Sequence, residues 1–172
     1  ALQNNGDLEA AINSYKQALK IKPDNAATYN NMGLVLQNKG DLEAAINSFK
    51  QVIKINPDYA EAYNNMGIAL KVKGDLEAAI DNYKQALKIK PDNVEVFNNM
   101  GNALNYKGDI EAAINSYKQA LKIKPDYAEA YNNMGLVLQN KGDIESAIDN
   151  YKQALKIKPD YVDAYCNVLR SS

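Results

Sequence analysis

The chain contains no tryptophan and no histidine, and its only cysteine is Cys166. Without imidazole there is no His-activated serine or cysteine nucleophile, and no mixed Cys/His cluster of the kind that holds zinc. One cysteine excludes an internal disulfide framework. There is no Asn-X-Ser/Thr sequon, no signal-peptide pattern opens the sequence, and no apolar run nears the roughly 18 residues of a spanning helix. A cytoplasmic, reducing setting is the expectation. The charges nearly cancel, with 20 basic against 21 acidic residues and a net charge of −1. That leaves no large field to steer nucleic acid or an anionic membrane, and neither is expected as a partner.

What the chain does have is a period. Asn-Asn-Met-Gly begins at Asn30, Asn64, Asn98 and Asn132, Lys-Gly-Asp at Lys39, Lys73, Lys107 and Lys141, and Pro-Asp at Pro23, Pro57, Pro91, Pro125 and Pro159. All three markers step by 34 residues, so the chain is a repeat array. The expected organisation is a single array over 1–172. Full repeats occupy 26–59, 60–93, 94–127 and 128–161. Residues 1–25 carry the end of a first helix plus a second helix, and 162–172 form a partial or terminal helix.

Each repeat reads as two helices. Tyr63, Met66, Gly67 and Leu70 make one apolar stripe at i, i+3, i+4, i+7; Leu76, Ala79, Ile80, Tyr83 and Leu87 make the next. Gly74 is expected to end the first helix at positive φ, and Asp75 to cap the second. Pro91 stops the segment. Asp92 and Glu95 form a capping-box-like pair for the helix that follows. Loops this short fold the two helices into an antiparallel hairpin. Gly67 is expected to face Ala79 where they cross, and Ala86 to meet the next hairpin.

Tyr63, Met66-Gly67, Leu70, Ala79, Tyr83, Ala86 and Pro91 fall where the tetratricopeptide repeat places its characteristic residues, and the chain resembles that family along essentially its whole length. Tyr stands where the family usually has Trp, and Leu70 where it often has Tyr; both are swaps the volume tolerates. The resemblance implies an all-α, right-handed α-solenoid of stacked hairpins, with first helices on the concave face and second helices on the convex face.

Candidates for chemistry are few. Asp41, Glu43, Asp75 and Glu77 sit at helix starts, where capping and the macrodipole account for them. Asn38-Lys39-Gly40-Asp41 spells a guanine-recognition string, but no phosphate-cradling loop accompanies it, and the same turn reads Val-Lys-Gly-Asp and Tyr-Lys-Gly-Asp elsewhere. Lys84, Lys88 and Lys90 belong to a solvated second-helix face. No enzyme activity, cofactor or metal is expected.

The concave face remains. Asn31, Asn65, Asn99, Asn133 and Asn167 repeat on the first helices, in a setting where asparagine has poor helix propensity. An amide offers both a donor and an acceptor, matching a peptide bond. This ladder resembles the superhelical repeats of O-linked N-acetylglucosamine transferases, which carry Asn at the matching place. Beside it the repeats vary: Leu34, Ile68, Asn102 and Leu136 at one place, Asn38, Val72, Tyr106 and Asn140 at another. These residues, with Glu61, Glu95 and Glu129, are the candidates for selectivity. The acidic residues favour a neutral or basic peptide, and the Lys/Arg clamp of cochaperone members is missing. The expected function is a non-catalytic interaction module that binds an extended peptide through the ladder. The alternatives are a scaffold that stacks head-to-tail, or the substrate-docking arm of a larger transferase.

Overall fold

The structure, a computed structural model, describes the backbone of residues 2–171 and the side chains of residues 6–171. All regular structure among them is α-helical, and the chain divides after Pro91 into two compact units. The first unit holds α1 (Leu2–Ile21), α2 (Ala26–Lys39), α3 (Leu42–Ile55), α4 (Ala60–Lys73) and α5 (Leu76–Ile89). The second holds α6 (Val94–Lys107), α7 (Ile110–Ile123), α8 (Ala128–Lys141), α9 (Ile144–Ile157) and α10 (Val162–Ser171). Within each unit the hairpin pairs α2/α3, α4/α5, α6/α7 and α8/α9 make the most extensive contacts, and each hairpin packs on its neighbour. This is the all-α solenoid architecture.

The turn chemistry explains the hairpins. Gly40, Gly74, Gly108 and Gly142 adopt φ of 90°, 94°, 89° and 89°, the left-handed region that glycine enters without a Cβ penalty. The Gly74 N–H then donates to Lys71 O, and the Asp75 N–H to Leu70 O, closing the end of α4. One residue later the Asp75 carboxylate accepts from the Ala78 N–H at 3.2 Å and opens α5. Asp41, Asp109 and Asp143 repeat this at 3.3, 3.3 and 3.2 Å.

Three local details depart from expectation. The helix after Pro91 is capped by Asn93, whose side chain accepts from the Val96 N–H at 3.2 Å, and not by an Asp92/Glu95 box. Pro91 and Asp92 form the turn itself, which shifts the helix start on by one residue. Residues 2–21 form one continuous helix through Asn5-Gly6-Asp7, where the end of a first helix and a second helix were expected to meet. Finally, a Cβ at Gly67 would meet not Ala79 but the ring of Tyr83, at 2.6 Å. Gly33, Gly101 and Gly135 stand likewise over Phe49, Tyr117 and Tyr151. The hairpin crossing is therefore a glycine seated on an aromatic face.

Ala154, the counterpart of Ala86, is fully buried in a cluster with Ala128 and Ala164, which joins α9 to α8 and α10 as expected for the inter-hairpin contact. Ion pairs link the same neighbours outside the core. Lys39 pairs with Glu9, Lys73 with Glu43 and Lys141 with Glu111. These three lysines of the Lys-Gly-Asp turns thus reach back to the second helix of the preceding repeat. These pairs are solvent-exposed and add little stability each.

Candidate functional site

The asparagine ladder lies on the first helices, and the amides of Asn65, Asn133 and Asn167 are already engaged. In the first unit Asn65 Nδ2 donates to Asn30 Oδ1 at 3.1 Å. In the second, Asn133 donates to Asn98 and Asn167 to Asn132, each at 3.0 Å. The acceptors Asn30, Asn98 and Asn132 are buried, where an unpaired amide oxygen would be costly. The first asparagine of the Asn-Asn pair, which the sequence left without a role, thus orients the second asparagine of the next repeat in these three cases. In these three bonds a ladder amide uses one N–H; its oxygen and second N–H are not part of the bond. The stripe is consequently less free than expected: Asn65, Asn99 and Asn133 are half-buried and Asn167 is buried, while Asn31 is exposed.

The variable positions sort into two groups. In the first unit Leu34, Asn38, Val72 and Glu61 are exposed, Val72 at 61 %, and Ile68 is half-buried. In the second, Tyr106 is 73 % exposed, and Leu136, Asn140 and Glu95 also face solvent, with Glu129 half-buried. Asn102 differs from these, because its Oδ1 accepts from the Tyr117 hydroxyl at 2.8 Å and is tied to the core.

One turn further along the same helices lie Gln37, Lys71, Asn105 and Gln139, which sequence reasoning passed over. Gln139 Oε1 accepts from the Tyr151 hydroxyl at 2.7 Å. In the first unit this partnership fails twice. Gln37 Oε1 is buried without a donor, since Phe49 stands where the other repeats have tyrosine. The Tyr83 hydroxyl is buried without an acceptor, since Ile68 and Lys71 stand where Asn102 and Gln139 accept. Comparing each first-helix position with its second-helix partner, repeat by repeat, was the signal that could have revealed this. Burial holds Lys71 below the usual lysine range and pushes the Tyr83 and Tyr117 phenols well up, and the Tyr151 phenol up to about 12.

Between α8 and α10 the second unit encloses a pocket of about 420 Å³. It gathers Asn133, Asn167 and Leu136 from the sequence-named set and adds Tyr161, Asp163 and Arg170. Cys166 also lines it as a free thiol. The additions come from the stretch read only as a terminal helix. Among the described residues no group of three or more His, Cys, Asp or Glu could hold a metal ion, and no helix is long and apolar enough to cross a membrane.

Stacked helical hairpins, with glycine seated on an aromatic ring at each crossing and a polar first-helix face, define the class as a helical repeat protein. The chain belongs to the tetratricopeptide repeat family. It matches the TPR repeat description over residues 2–40, 38–74, 69–105 and 101–142, and the tetratricopeptide repeat over 128–161. Among solved structures it is similar to the crystal structure of MamA, at 29 % identity and a TM-score of 0.83, covering 91 % of this chain and 92 % of that one. MamA 41-end from Desulfovibrio magneticus RS-1 shares the fold at 19 % identity and a TM-score of 0.82, over 92 % and 89 % of the two chains. YrrB, described as a TPR protein with an unusual peptide-binding site, does so at 22 % identity and a TM-score of 0.73, over 91 % and 81 %. No curated protein sequence matches.

Proposed function

We propose that the chain is a non-catalytic protein-interaction module that binds an extended peptide along its first-helix face through the asparagine ladder. The observation that carries this reading is the set of Asn–Asn bonds at 3.0–3.1 Å. They fix the amides of Asn65, Asn133 and Asn167 in one orientation before any partner arrives, which lowers the ordering cost of binding. An amide held in this way, with an acceptor and a second N–H outside the bond, suits a peptide backbone irrespective of its sequence. Leu34, Val72, Tyr106 and Leu136 supply apolar contacts, and Glu61, Glu95 and Glu129 favour a neutral or basic partner. YrrB, with its described peptide-binding site, lends the reading support by fold. The setting proposed is cytoplasmic.

An array of immobilised 15-residue peptides, probed with the labelled full chain, tests the proposal. Asn65→Ala/Asn133→Ala should abolish most binding. Gly74→Ala, of similar stability cost but remote from the ladder, should bind as wild type does. Equal binding by all three proteins rejects the ladder.

A second reading, head-to-tail self-association, draws support from α10. Val162, Tyr165 and Leu169 lie on one face of it and are 70 %, 59 % and 64 % exposed. Sedimentation velocity over a hundredfold concentration range decides this, and a strict monomer removes it. The docking-arm reading has only the Asn match behind it. Its test is whether a catalytic domain adjoins this sequence in the full reading frame.

A further inference from the structure

Of the three asparagine–asparagine bonds, the one between Asn167 and Asn132 lies deepest: Asn132 is 4 % exposed and Asn167 8 %. In the other two the donor, Asn65 or Asn133, is only half-buried. Asn132 and Asn167 both line the pocket between α8 and α10, so the pair forms part of its wall. The bond takes up the Asn132 oxygen and one N–H of Asn167. It leaves the Asn132 amino group and the Asn167 side-chain oxygen without a hydrogen-bond partner among the described residues. Neither group is sealed off, because the buried side-chain polar atoms that lack a partner there are Gln37 Oε1 and the Tyr83 hydroxyl alone. Their opening is the pocket.

One wall of the pocket thus offers a donor and an acceptor together. The 3.0 Å bond and the fixed width of an amide keep the two within about 7.5 Å of each other. A trans peptide bond aims its N–H and C=O in opposite directions, so from a single wall it meets one of these groups and not both. A primary amide carries an N–H on the same edge as its C=O and meets both. A peptide backbone that follows the half-buried amides of the ladder also passes above a pair this deep, which a side chain reaches. Leu136 and Tyr161 flank the opening with apolar surface for the methylenes of such a side chain. Asp163 and Arg170 bring opposite charges to the lining, so the pocket has no net charge that would favour an acidic or a basic group. Its volume of about 420 Å³ lies in the range that holds small organic groups.

We propose that this pocket takes a primary amide, the side chain of a glutamine or asparagine in the bound peptide. Its C=O accepts from Asn132 Nδ2 and its N–H donates to Asn167 Oδ1. The inference rests on the peptide-binding reading above and deepens it. Asn65 and Asn133 hold the backbone whatever its sequence, and the Asn132–Asn167 pair reads one side chain. A pocket that hydrogen-bonds an amide rejects a side chain of similar shape without one, since its own polar groups are then left unpaired.

The test uses the full chain against an array of 15-residue peptides, in which each glutamine is replaced in turn by Glu and by Met, and each asparagine by Asp and by Leu. Wild type should lose about tenfold in affinity at one position for both replacements, as expected when the hydrogen bonds of one amide are removed. Cys166 is the chain's only cysteine, is exposed and lines the pocket, so the pocket can be filled without unfolding the protein. Alkylation with iodoacetamide tethers a carboxamide there, and Cys166→Phe places a ring there. Both filled chains should bind parent and replaced peptides equally. If wild type discriminates against the acidic replacement alone, the pocket excludes charge and does not read an amide, and the inference fails. If no replacement matters, or if either filled chain discriminates as wild type does or binds nothing at all, the pocket is not the amide's site while peptide binding stands. If wild type binds no peptide on the array, the peptide-binding reading fails, and this inference fails with it.

Discussion

Tyr151 donates its hydroxyl proton to Gln139 Oε1 at 2.7 Å. At the same two places of the first repeat stand Gln37, whose Oε1 is buried without a donor, and Phe49, which has nothing to donate. Phe49→Tyr should therefore complete the pair and stabilise the protein by about 1 kcal/mol, the net worth of one intramolecular hydrogen bond. A denaturant midpoint that fails to rise would show that the new hydroxyl does not reach Gln37.

Gly67→Ala tests the crossing. An added Cβ would lie 2.6 Å from the Tyr83 ring, in a core with no spare room. Displacing the ring should cost roughly 1–3 kcal/mol. Gly74→Ala should cost a comparable roughly 1–2 kcal/mol for a different reason: nothing lies within 4 Å of it, and the penalty is purely its φ of 94°. Asparagine, which tolerates that region, should recover part of the loss at residue 74 and none at residue 67.

Asn30 and Asn65 should be energetically coupled. Asn65→Ala strands the buried oxygen of Asn30, so it should lower the melting temperature. A double-mutant cycle with Asn30→Ala should return an interaction of about 0.5–1.5 kcal/mol. Simple additivity would mean that the bond is absent in solution.

Alkaline pH should unfold the protein through its buried phenols. In the unfolded chain a tyrosine ionises near pH 10. Burial pushes Tyr151 up to about 12, and Tyr83 and Tyr117 are raised by the same cause. Between about pH 10 and 12 the unfolded chain has released protons that the fold retains, so stability falls as pH rises; below about 10 these groups impose no slope. Tyrosinate absorbance should appear together with loss of helical circular dichroism. Full ionisation with helicity intact contradicts this picture.

The sequence made the local features legible and left the pairwise ones hidden. Gly74, Asp75 and Pro91 act within four residues of their own position, so their roles could be read directly. The resting place of Gly67 on Tyr83 depends on how two helices roll against each other, and small residues at both 67 and 79 fitted either arrangement. The partner of Asn65 lies 35 residues upstream, one more than the period. Folding the sequence at 34 therefore aligned Asn65 with Asn31 and concealed its bond to Asn30. Asp163 and Arg170 went unnoticed as pocket residues because the repeat pattern offers no full unit there to compare.

The same offset gives the ladder a direction in time. Asn30, Asn98 and Asn132 are the acceptors, and Asn65, Asn133 and Asn167 the donors, so within each bond the acceptor leaves the ribosome first. Domains generally fold from the N-terminal side as they are synthesised. In these three bonds the newly made first helix thus meets a finished neighbour that already presents an oxygen, and in the second unit Asn132 of the helix that has just docked becomes the next landing point. A nascent chain halted just after α2, α6 or α8 would expose one unanswered acceptor at its growing end, on Asn30, Asn98 or Asn132.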